Sequence, residues 1–498
     1  MKVALNEVKT GYAAIKRKAF AEYKLGNYEA SLSYVDKAVT IASQIMWRYA
    51  DDELDDLLFN ISSKVIKKRQ TDYYADNKKV VFYDYFGSTF ILAIQYIKAL
   101  VNSNHEILYI YEEQEWDLNV SVIDVMKQFP QVQVKIISKK INRVDKLPEI
   151  YNSILSFRAS KLFIHINTLS HFIPVLFILP SDITKYYINL GDHAFWLGSK
   201  GIDYSFEFRS FGATVSYEKR GLKKEQLLLL PYYPIENGFK FQGFPIETGD
   251  KVVIFSGGDF YKMVDSQNTY WTLVKNVLEH NPNAIIFFAN KVSNEEGLKF
   301  LDNFIVSNNF QERFILIGFR PDINEVFARC DIFMGTCPMS GGLMSQYAGV
   351  NFKPILQYYP KELFAFEETE SMICFNKTMK ISFTDKVEFL NEAKHLIDDS
   401  TYRIKKGQEI NECMITESQF NSLFEKSIQT NVSQVNIENV NVSYLHLEKW
   451  WLEVNNKGFS DVGRFIMGIL GFNSIFFVPS LIIRYNFNRL YSKFLRKH

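Results

Sequence analysis

The residues Gly-Asp-His-Ala-Phe-Trp at 191–196 place an acid and an imidazole directly after KYYINL, a run with the composition of a β-strand. A neutral imidazole accepts a proton near neutral pH, and an adjacent carboxylate can orient it. His193 is therefore a candidate general base, and Asp192 is the candidate partner that holds its ring. The alternative interpretation is a loop histidine that only caps a helix.

A cation follows one strand later in the sequence. Arg209 ends the run YSFEFR, so it is expected at the same edge of a parallel sheet as His193. A guanidinium suits a phosphate or carboxylate ligand, although a surface salt bridge would use it as well. His165, in KLFIHINTL, alternates with apolar neighbours and is interpreted as a core residue.

A second group of candidate residues lies in the C-terminal half. The run IFSGGDFYK ends a predicted strand and turns through Gly257 and Gly258, where backbone N–H groups can approach a phosphate. Lys262 follows and supplies a positive charge for a diphosphate. The spacing matches neither GxGxxG nor GxxxxGK, which argues against a dinucleotide site or a P-loop. A plain tight turn explains the two glycines as well.

The stretch DIFMGTCPMSGGLMSQYAG predicts a strand, a loop and a helix. Ser340, Gly341 and Gly342 begin this helix, whose first N–H groups form an anion site, and Ser340 is the predicted N-cap. Gln346 lies on the same helix, where it can reach a ribose. These parts favour a nucleotide-diphosphate ligand, and the alternative is a capped helix that packs closely on its strand.

The candidate side chains must be positioned by the elements around them. The sequence contains two series of short runs rich in Val, Ile, Tyr and Phe, and helix-length segments separate these runs. Such alternation predicts α/β domains with parallel sheets, whose ligands bind beyond the carboxyl ends of the strands. We predict an N-terminal domain at 76–240 and a nucleotide-binding domain at 248–410, with a cleft between them. Helical regions at 1–75 and 411–498 flank these domains.

The first helical region contains AFAEYKLGNYEASLSYVDKAV, which resembles one tetratricopeptide hairpin. One repeat cannot bury its own faces, so we predict a cap on the next domain, with a partner-docking hairpin as the alternative. The acids of ADDELDDLL are interpreted as a solvated helix face, and no metal site is predicted.

The overall composition narrows the class of protein. The 498-residue chain has 47% hydrophobic residues and a net charge of +1, which excludes a disordered protein and gives no global field for nucleic acid. Its four cysteines lack CxxC spacing and are expected to be free thiols. The N-terminus has no apolar signal-peptide core, so a cytoplasmic location is predicted.

The segment 465–497 has a different character. Phe465 to Ile483 carries no charge, and the tail RYNFNRLYSKFLRKH combines aromatic residues with Lys and Arg and has no acid. Interfacial segments that meet anionic lipid have this composition. We predict peripheral attachment to the inner face of the cytoplasmic membrane, with a spanning helix and a buried core helix as alternatives.

Together these motifs resemble the GT-B glycosyltransferases over residues 78–410. FSGGDFYK is similar to a strand-end segment with a phosphate-binding lysine in relatives of O-GlcNAc transferase and in bacterial adhesin glycosyltransferases. DIFMGTCPMSGGLMSQYAG is similar to their donor loop, although an acid often stands where Gln346 lies. LGDHAFWLG, followed by FEFR, resembles a segment of bacterial polysaccharide glycosyltransferases.

The resemblance implies a fold and a reaction. The fold is α/β GT-B, with two facing Rossmann-like domains, a helical N-terminal cap and a helical C-terminal extension. The reaction moves a sugar from a nucleotide-sugar co-substrate, with a UDP-sugar favoured, and needs neither a metal nor a cofactor. Pro338 and Gln346 replace the two glutamates of many retaining relatives, which favours an inverting displacement.

The resemblance also implies roles for the candidate residues. His193 or Asp192 would be the base, and Arg209 would contact phosphate or acceptor. Phe195 and Trp196 would form a wall of the site or stack on a sugar. The donor would be bound by Gly257, Gly258, Lys262, Ser340, Gly341, Gly342 and Gln346.

The favoured acceptor is a glycan or lipid-linked glycan in bacterial capsule or lipopolysaccharide assembly. A protein acceptor is the first alternative, and a non-catalytic scaffold with a degenerate donor site is the second. A sugar-nucleotide epimerase fits the residues less well. No nucleic-acid partner is predicted.

Overall fold

The computed structural model describes residues 3–68, 72–85, 92–113, 121–166, 172–235, 239–290, 295–363, 369–456 and 461–484. The chain forms two compact units. Unit 1 contains Met1–Leu230, Asn421–Val440 and Leu447–His498, and unit 2 contains Pro231–Phe420 and Asn441–His446.

Unit 1 is built on a parallel sheet, which has seven strands in the described part of the chain, in the order β3-β2-β1-β4-β5-β6-β7. The central strands are buried on both faces, which explains their continuous Val, Ile, Tyr and Phe runs. The order reverses between β1 and β4, where open α/β sheets bind ligands. The strands are β1 (Asp76–Asp84), β2 (Glu106–Glu112), β3 (Val132–Ile137), β4 (Ala159–His165), β5 (Thr184–Asn189), β6 (Tyr204–Glu207) and β7 (Leu227–Leu229).

Helices cover the sheet of unit 1, and the first three share one hydrophobic core with its strands. Val8, Leu57 and Val81 belong to this core, so the N-terminal helices form the predicted cap. The helices are α1 (Leu5–Lys24), α2 (Tyr28–Gln44), α3 (Asp52–Val65), α4 (Leu92–Asn102), α5 (Ser121–Lys127), α6 (Arg143–Phe157), α7 (Ile173–Leu176) and α8 (Ser210–Lys219), with 3₁₀ turns at Ser199–Gly201 and Lys224–Gln226.

The prediction of a solvated acidic face on α3 is wrong for two of its acids. Asp51 is 2% exposed, caps α3, and accepts hydrogen bonds from the Tyr12 hydroxyl at 2.5 Å and Lys16 Nζ at 2.7 Å. Asp55 is 1% exposed, whereas Asp56 on the same helix is exposed. Tertiary packing, which the local sequence does not report, covers one side of α3.

Unit 2 is built on a second parallel sheet, with six strands among the described residues, in the order β10-β9-β8-β11-β12-β13. The strands are β8 (Val252–Gly257), β9 (Ala284–Ala289), β10 (Phe314–Leu316), β11 (Ile332–Met334), β12 (Ile355–Tyr358) and β13 (Ser382–Phe383). The helices are α9 (Thr269–His280), α10 (Glu295–Ser307), α11 (Ile323–Ala328), α12 (Gly342–Val350), α13 (Glu370–Ile373), α14 (Lys386–Asp398) and α15 (Ser400–Cys413), with 3₁₀ turns at Phe260–Met263 and Lys361–Leu363.

A further set of helices follows unit 2 in the sequence: α16 (Glu417–Thr430), α17 (Tyr444–Val454), α18 (Val462–Leu470) and α19 (Ser474–Phe477), with a 3₁₀ turn at Gly471–Asn473. Val462, Ile466 and Leu470 join the core of unit 1. Within the residues that the structure describes, no helix is both long and apolar enough to cross a membrane. The predicted basic tail beyond residue 484 lies outside the described residues.

Candidate functional site

The loop after β5 holds the predicted acid and imidazole. Asp192 is 1% exposed, and its Oδ1 lies 3.0 Å from Nδ1 of His193. The His193 side chain is 24% exposed, and its ring stacks on Trp451 with 6.1 Å between ring centroids. With a proton on Nδ1 shared with Asp192, Nε2 is the basic nitrogen of His193.

Arg209 lies behind Asp192. Its Nε donates to Asp192 Oδ2 at 2.5 Å, its side chain is 3% exposed, and its guanidinium carbon lies 4.7 Å from the ring centroid of Phe211. This placement corrects the predicted phosphate or acceptor contact of Arg209, because the buried carboxylate takes its charge.

This pairing makes Asp192 the weaker of the two predicted bases. Burial by itself would raise the pKa of Asp192, but the charge of Arg209 and the hydrogen bonds from His193 and Arg209 hold that pKa well below its usual range. A carboxylate with so low a pKa is a poor proton acceptor at neutral pH. Asp192 can therefore orient the imidazole, and of the two predicted bases only His193 remains a candidate.

Arg220, which the sequence did not indicate as a functional residue, holds the loop after β5 through its backbone carbonyl groups. Its Nη2 donates to the carbonyl oxygens of Asp192 at 2.8 Å and Ala194 at 2.7 Å, and Nη1 donates to Ser216 Oγ at 3.0 Å. Arg220 is 3% exposed. Arg220 directly follows α8, and cations are common and usually exposed at the C-terminal end of a helix. Its position in the sequence therefore does not indicate that it is buried.

A buried carboxylate completes the support under the loop. Glu207 is fully buried and accepts hydrogen bonds from three side chains, Asn189, Ser205 and Ser216, at 2.7–2.8 Å. Burial raises the pKa of Glu207, and the charge of Arg220 acts against that rise. A Cβ on Gly212 would lie 2.6 Å from Glu207 Oε2 and 2.8 Å from Asp192 Cβ, so only glycine lets α8 come this close.

Phe195 and Trp196 belong to the hydrophobic core of unit 1. They are 0% and 1% exposed, and the Trp196 ring stacks on Tyr187 with 4.2 Å between centroids. The prediction that they form an open wall or stack on a sugar is corrected by this burial. They anchor the loop, since the backbone N–H of Trp196 also donates to the Tyr49 carbonyl at 3.2 Å.

Asp55 of the N-terminal cap reaches the same loop. Its Oδ1 accepts the Gly198 N–H at 2.8 Å, and Lys200 pairs with the neighbouring Asp56 at 2.9 Å. Burial raises the pKa of Asp55 to about 7, against the effect of the Gly198 and Lys200 N–H groups. The cap therefore positions the loop through a carboxyl group that is costly to ionise.

Asp55→Asn is expected to stabilise the protein at alkaline pH. Between about pH 4 and about pH 7 the folded state keeps a proton that the unfolded state has lost, so stability falls as pH rises and is level above that window. The introduced amide carries no charge, and the advantage of the variant should grow to about 2–4 kcal/mol by about pH 8. Urea unfolding across this pH range measures it. Asp56→Asn, at an exposed acid, is the control, and equal pH profiles for Asp55→Asn and wild type would contradict the assignment.

In unit 2, the end of β8 brings two glycines close to β9. A Cβ on Gly257 would lie 2.2 Å from the carbonyl oxygen of Ala289, and Gly258 has φ +149°, which disfavours other residues. The Gly258 N–H donates to that same Ala289 oxygen at 3.0 Å. The glycines thus allow a close strand approach as well as the turn that leads to Lys262.

Lys262 lies in the 3₁₀ turn after β8 and reaches the start of α12. Its Nζ donates to the Ser340 carbonyl at 3.2 Å, and a Cβ on Gly341 would lie 3.8 Å from that Nζ. The N-cap of α12 is Gly341, with Gly342 as the first helical residue, so the prediction of Ser340 as N-cap is wrong. A cationic amine beside a helix N-terminus is an arrangement that suits an anion.

Gln346 faces the interior of unit 2. It is 2% exposed, and its Nε2 donates to the Tyr232 carbonyl at 2.7 Å. Among the described residues its Oε1 has no hydrogen-bond partner. This placement corrects the predicted ribose contact, because the Gln346 amide instead links α12 to the backbone at Tyr232.

Comparison with solved structures identifies the architecture. HepE of Anabaena, in complex with UDP and glucose, matches with a TM-score of 0.51 at 12% identity, over 71% of this chain and 100% of HepE. A mutant O-GlcNAc transferase of Thermobaculum terrenum matches with a TM-score of 0.52 at 11% identity, over 90% of this chain and 83% of that chain. The chain has the GT-B fold.

A glycosyltransferase of Rickettsia africae shares the GT-B fold, with a TM-score of 0.50 at 9% identity, over 72% of this chain and 100% of that chain. No protein-family model matches the sequence, and no curated protein is similar to it in sequence. At these identities the solved structures establish the fold alone.

The first GT-B sheet carries another acid and imidazole at its switch point. Asp84 ends β1 and His165 ends β4, and Asp84 Oδ1 lies 2.8 Å from His165 Nδ1. Both are 0% exposed, which confirms His165 as a core residue. In the described part of the chain, no group of three or more His, Cys, Asp or Glu side chains is arranged to hold a metal ion.

Proposed function

We propose that this chain is a glycosyltransferase that moves a sugar from a nucleotide-sugar donor to an acceptor. The observation that carries the proposal is the Lys262 amine beside the N-terminus of α12, in one unit of a GT-B fold. A nucleoside diphosphate is the leaving group of such a donor, and it carries the negative charge that this corner can stabilise.

The solved structures with the same fold support the choice of donor. HepE is described in complex with UDP, with UDP and glucose, and with UDP-glucose. The Thermobaculum protein is an O-GlcNAc transferase. We therefore take a UDP-sugar as the first donor to test on this chain.

The proposed step is an inverting displacement. An acceptor hydroxyl oxygen forms a bond to C1 of the sugar, and the bond from C1 to the diphosphate oxygen breaks with its electron pair. The candidate base is Nε2 of His193 in unit 1, which Asp192 orients and which would take up the hydroxyl proton. The candidate diphosphate site, described in unit 2 by itself, is the Lys262 amine with the start of α12. The chain's own residues supply the base and the charge, and the step balances without an oxidant or reductant.

The proposed acceptor is a glycan or a lipid-linked glycan in the assembly of a bacterial surface polysaccharide, in the cytoplasm at the membrane. The apolar and basic C-terminal segment supports a lipid-linked acceptor. A protein acceptor would instead yield labelled protein, and an epimerase would yield an isomerised UDP-sugar without UDP release.

Lys262→Ala is expected to weaken UDP binding by about 10- to 100-fold, because one charge-assisted contact to the diphosphate is lost. Isothermal titration calorimetry with UDP measures the affinity, and thermal shift with UDP gives a second readout. Lys361→Ala is the matched control, since Lys361 is an exposed lysine in the other 3₁₀ turn of unit 2 and should keep the wild-type affinity.

Two results would count against this assignment. Equal UDP affinity for Lys262→Ala and Lys361→Ala would remove Lys262 from the donor site. Absence of binding by UDP, GDP, CMP and dTDP sugars to the wild-type chain would favour the scaffold alternative, to which the replacement of an acid by Gln346 also points.

A further inference from the structure

The segment 462–484 belongs to unit 1, and one side of it packs on the first helix of that unit, α1. Two contacts show how closely the segment approaches α1. A Cβ on Gly11 would lie 2.7 Å from Ile466 Cγ2, and the guanidinium carbon of Arg17 lies 5.1 Å from the Phe477 ring centroid. Apart from Gly463, which has no side chain, the buried residues of the segment follow one another at intervals of four and finally three residues: Val462, Ile466, Leu470, Ser474, Val478 and Leu481.

The opposite side of the segment presents large apolar side chains to solvent. Phe472 is 92% exposed, Phe476 80%, Ile483 70% and Ile475 52%. Phe472, Ile475 and Phe476 are three and four residues apart, so they share one face of the short helical turn. We call these four residues the C-terminal apolar surface. Exposed apolar groups clustered in this way mark interaction sites.

Backbone breaks keep this charge-free run from forming one long helix. Gly471, with φ +53°, ends α18, and Val478, with φ −141°, ends α19. A spanning helix needs roughly 20 continuous apolar residues. The run instead lies along the surface of unit 1, so one side of it is exposed to solvent over most of its length.

The charge of this part of the chain is one-sided. After Asp461 the sequence has no acid, and it has six Lys or Arg residues up to residue 498. The whole chain has a net charge of only +1, so this cationic segment stands apart from the rest. Arg464 in α18 is 69% exposed and pairs with Asp461 at 2.9 Å, and Arg484 contacts Glu7 of α1. The other four cations of this stretch are known from the sequence alone.

We propose that the C-terminal apolar surface docks on the headgroup region of an anionic lipid bilayer, with Phe472 and Phe476 entering the acyl boundary. Apolar insertion and attraction to anionic lipid act together at such surfaces. A second copy of this chain fits less well, because a two-fold contact through this surface would bring two cationic, acid-free segments together. The proposal stands independently of the proposed sugar transfer.

Co-sedimentation of the full chain with vesicles tests the proposal. Wild type is expected to bind vesicles of equal parts phosphatidylglycerol and phosphatidylcholine, and to bind pure phosphatidylcholine much less. The double variant Phe472→Ser/Phe476→Ser should lower the partition coefficient by at least about tenfold. Raising NaCl from about 0.1 M to about 1 M should weaken the wild-type binding.

The control double variant is Leu25→Ser/Phe319→Ser, at apolar residues that are 73% and 69% exposed elsewhere. It should bind as wild type does, and all proteins should keep the wild-type thermal midpoint because the changed side chains are exposed. Equal partition of the Phe472/Phe476 variant and wild type would overturn the proposal. A second result would also overturn it: the wild type does not bind vesicles but is a dimer in sedimentation velocity, and the Phe472/Phe476 variant is a monomer.

Discussion

Replacing His193 by Ala is expected to lower kcat by about 10²- to 10⁴-fold, the usual contribution of a positioned general base. The donor should bind as before, because His193 belongs to the acceptor step of the proposed reaction. The side chain is 24% exposed, so the thermal midpoint should change little. The assay is transfer of radiolabelled sugar from UDP-glucose or UDP-N-acetylglucosamine to glycolipid in bacterial membranes, with UDP release as a second readout.

His280→Ala is the matched control for this variant, since His280 is an exposed histidine at the end of α9 and should keep full activity. Asp192→Asn separates positioning from catalysis. It leaves the imidazole in place but removes the charge that orients it, so kcat should fall less than in His193→Ala and its pH profile should shift. Wild-type kcat in His193→Ala, with a donor that is consumed, would rule His193 out as the base.

Replacing Arg209 by Met is expected to lower the free energy of unfolding by about 3–5 kcal/mol at neutral pH, because Asp192 would remain buried without its cation. In the wild type, the lowered pKa of Asp192 gives stability that is present above about pH 4 and is lost as pH falls further. In the variant the buried carboxyl takes up a proton more readily, so the loss should shrink toward about pH 4. Urea unfolding at a series of pH values measures both effects.

Two controls separate this pair from ordinary ion pairs. Arg329, the residue after α11, forms a surface ion pair at 2.6 Å with Glu325 of that helix. Arg329→Met removes this pair and should lower the free energy of unfolding by less than about 1 kcal/mol. Arg209→Met combined with Asp192→Asn should be less destabilised than the sum of the two single variants. A cost for Arg209→Met no larger than that for Arg329→Met would contradict the buried-pair interpretation.

The sequence determined most of the architecture. Eleven runs rich in Val, Ile, Tyr and Phe predicted strands that the structure confirms as β1–β6 and β8–β12, since these apolar runs suit strands buried on both faces. Strand β13, two residues long, was not predicted, because it is too short to give a compositional signal.

The sequence also indicated which residues lie near strand ends. Lys262 and Gly341 follow different strands and were predicted as neighbours, and in unit 2 a Cβ on Gly341 would lie 3.8 Å from Lys262 Nζ. Strand polarity explains this success, because parallel strands bring their carboxyl ends to one edge of the sheet. The roles of these residues in binding and transfer stay predictions.

Only the tertiary structure decided which side chains are covered. Phe195, Trp196, Arg209 and Gln346 were predicted to face a ligand, and all four are at least 95% buried. Asp55 was predicted to face water and is buried instead. The physical reason is that local composition and spacing place a residue on an element, while its burial depends on segments far away in the sequence that pack over it.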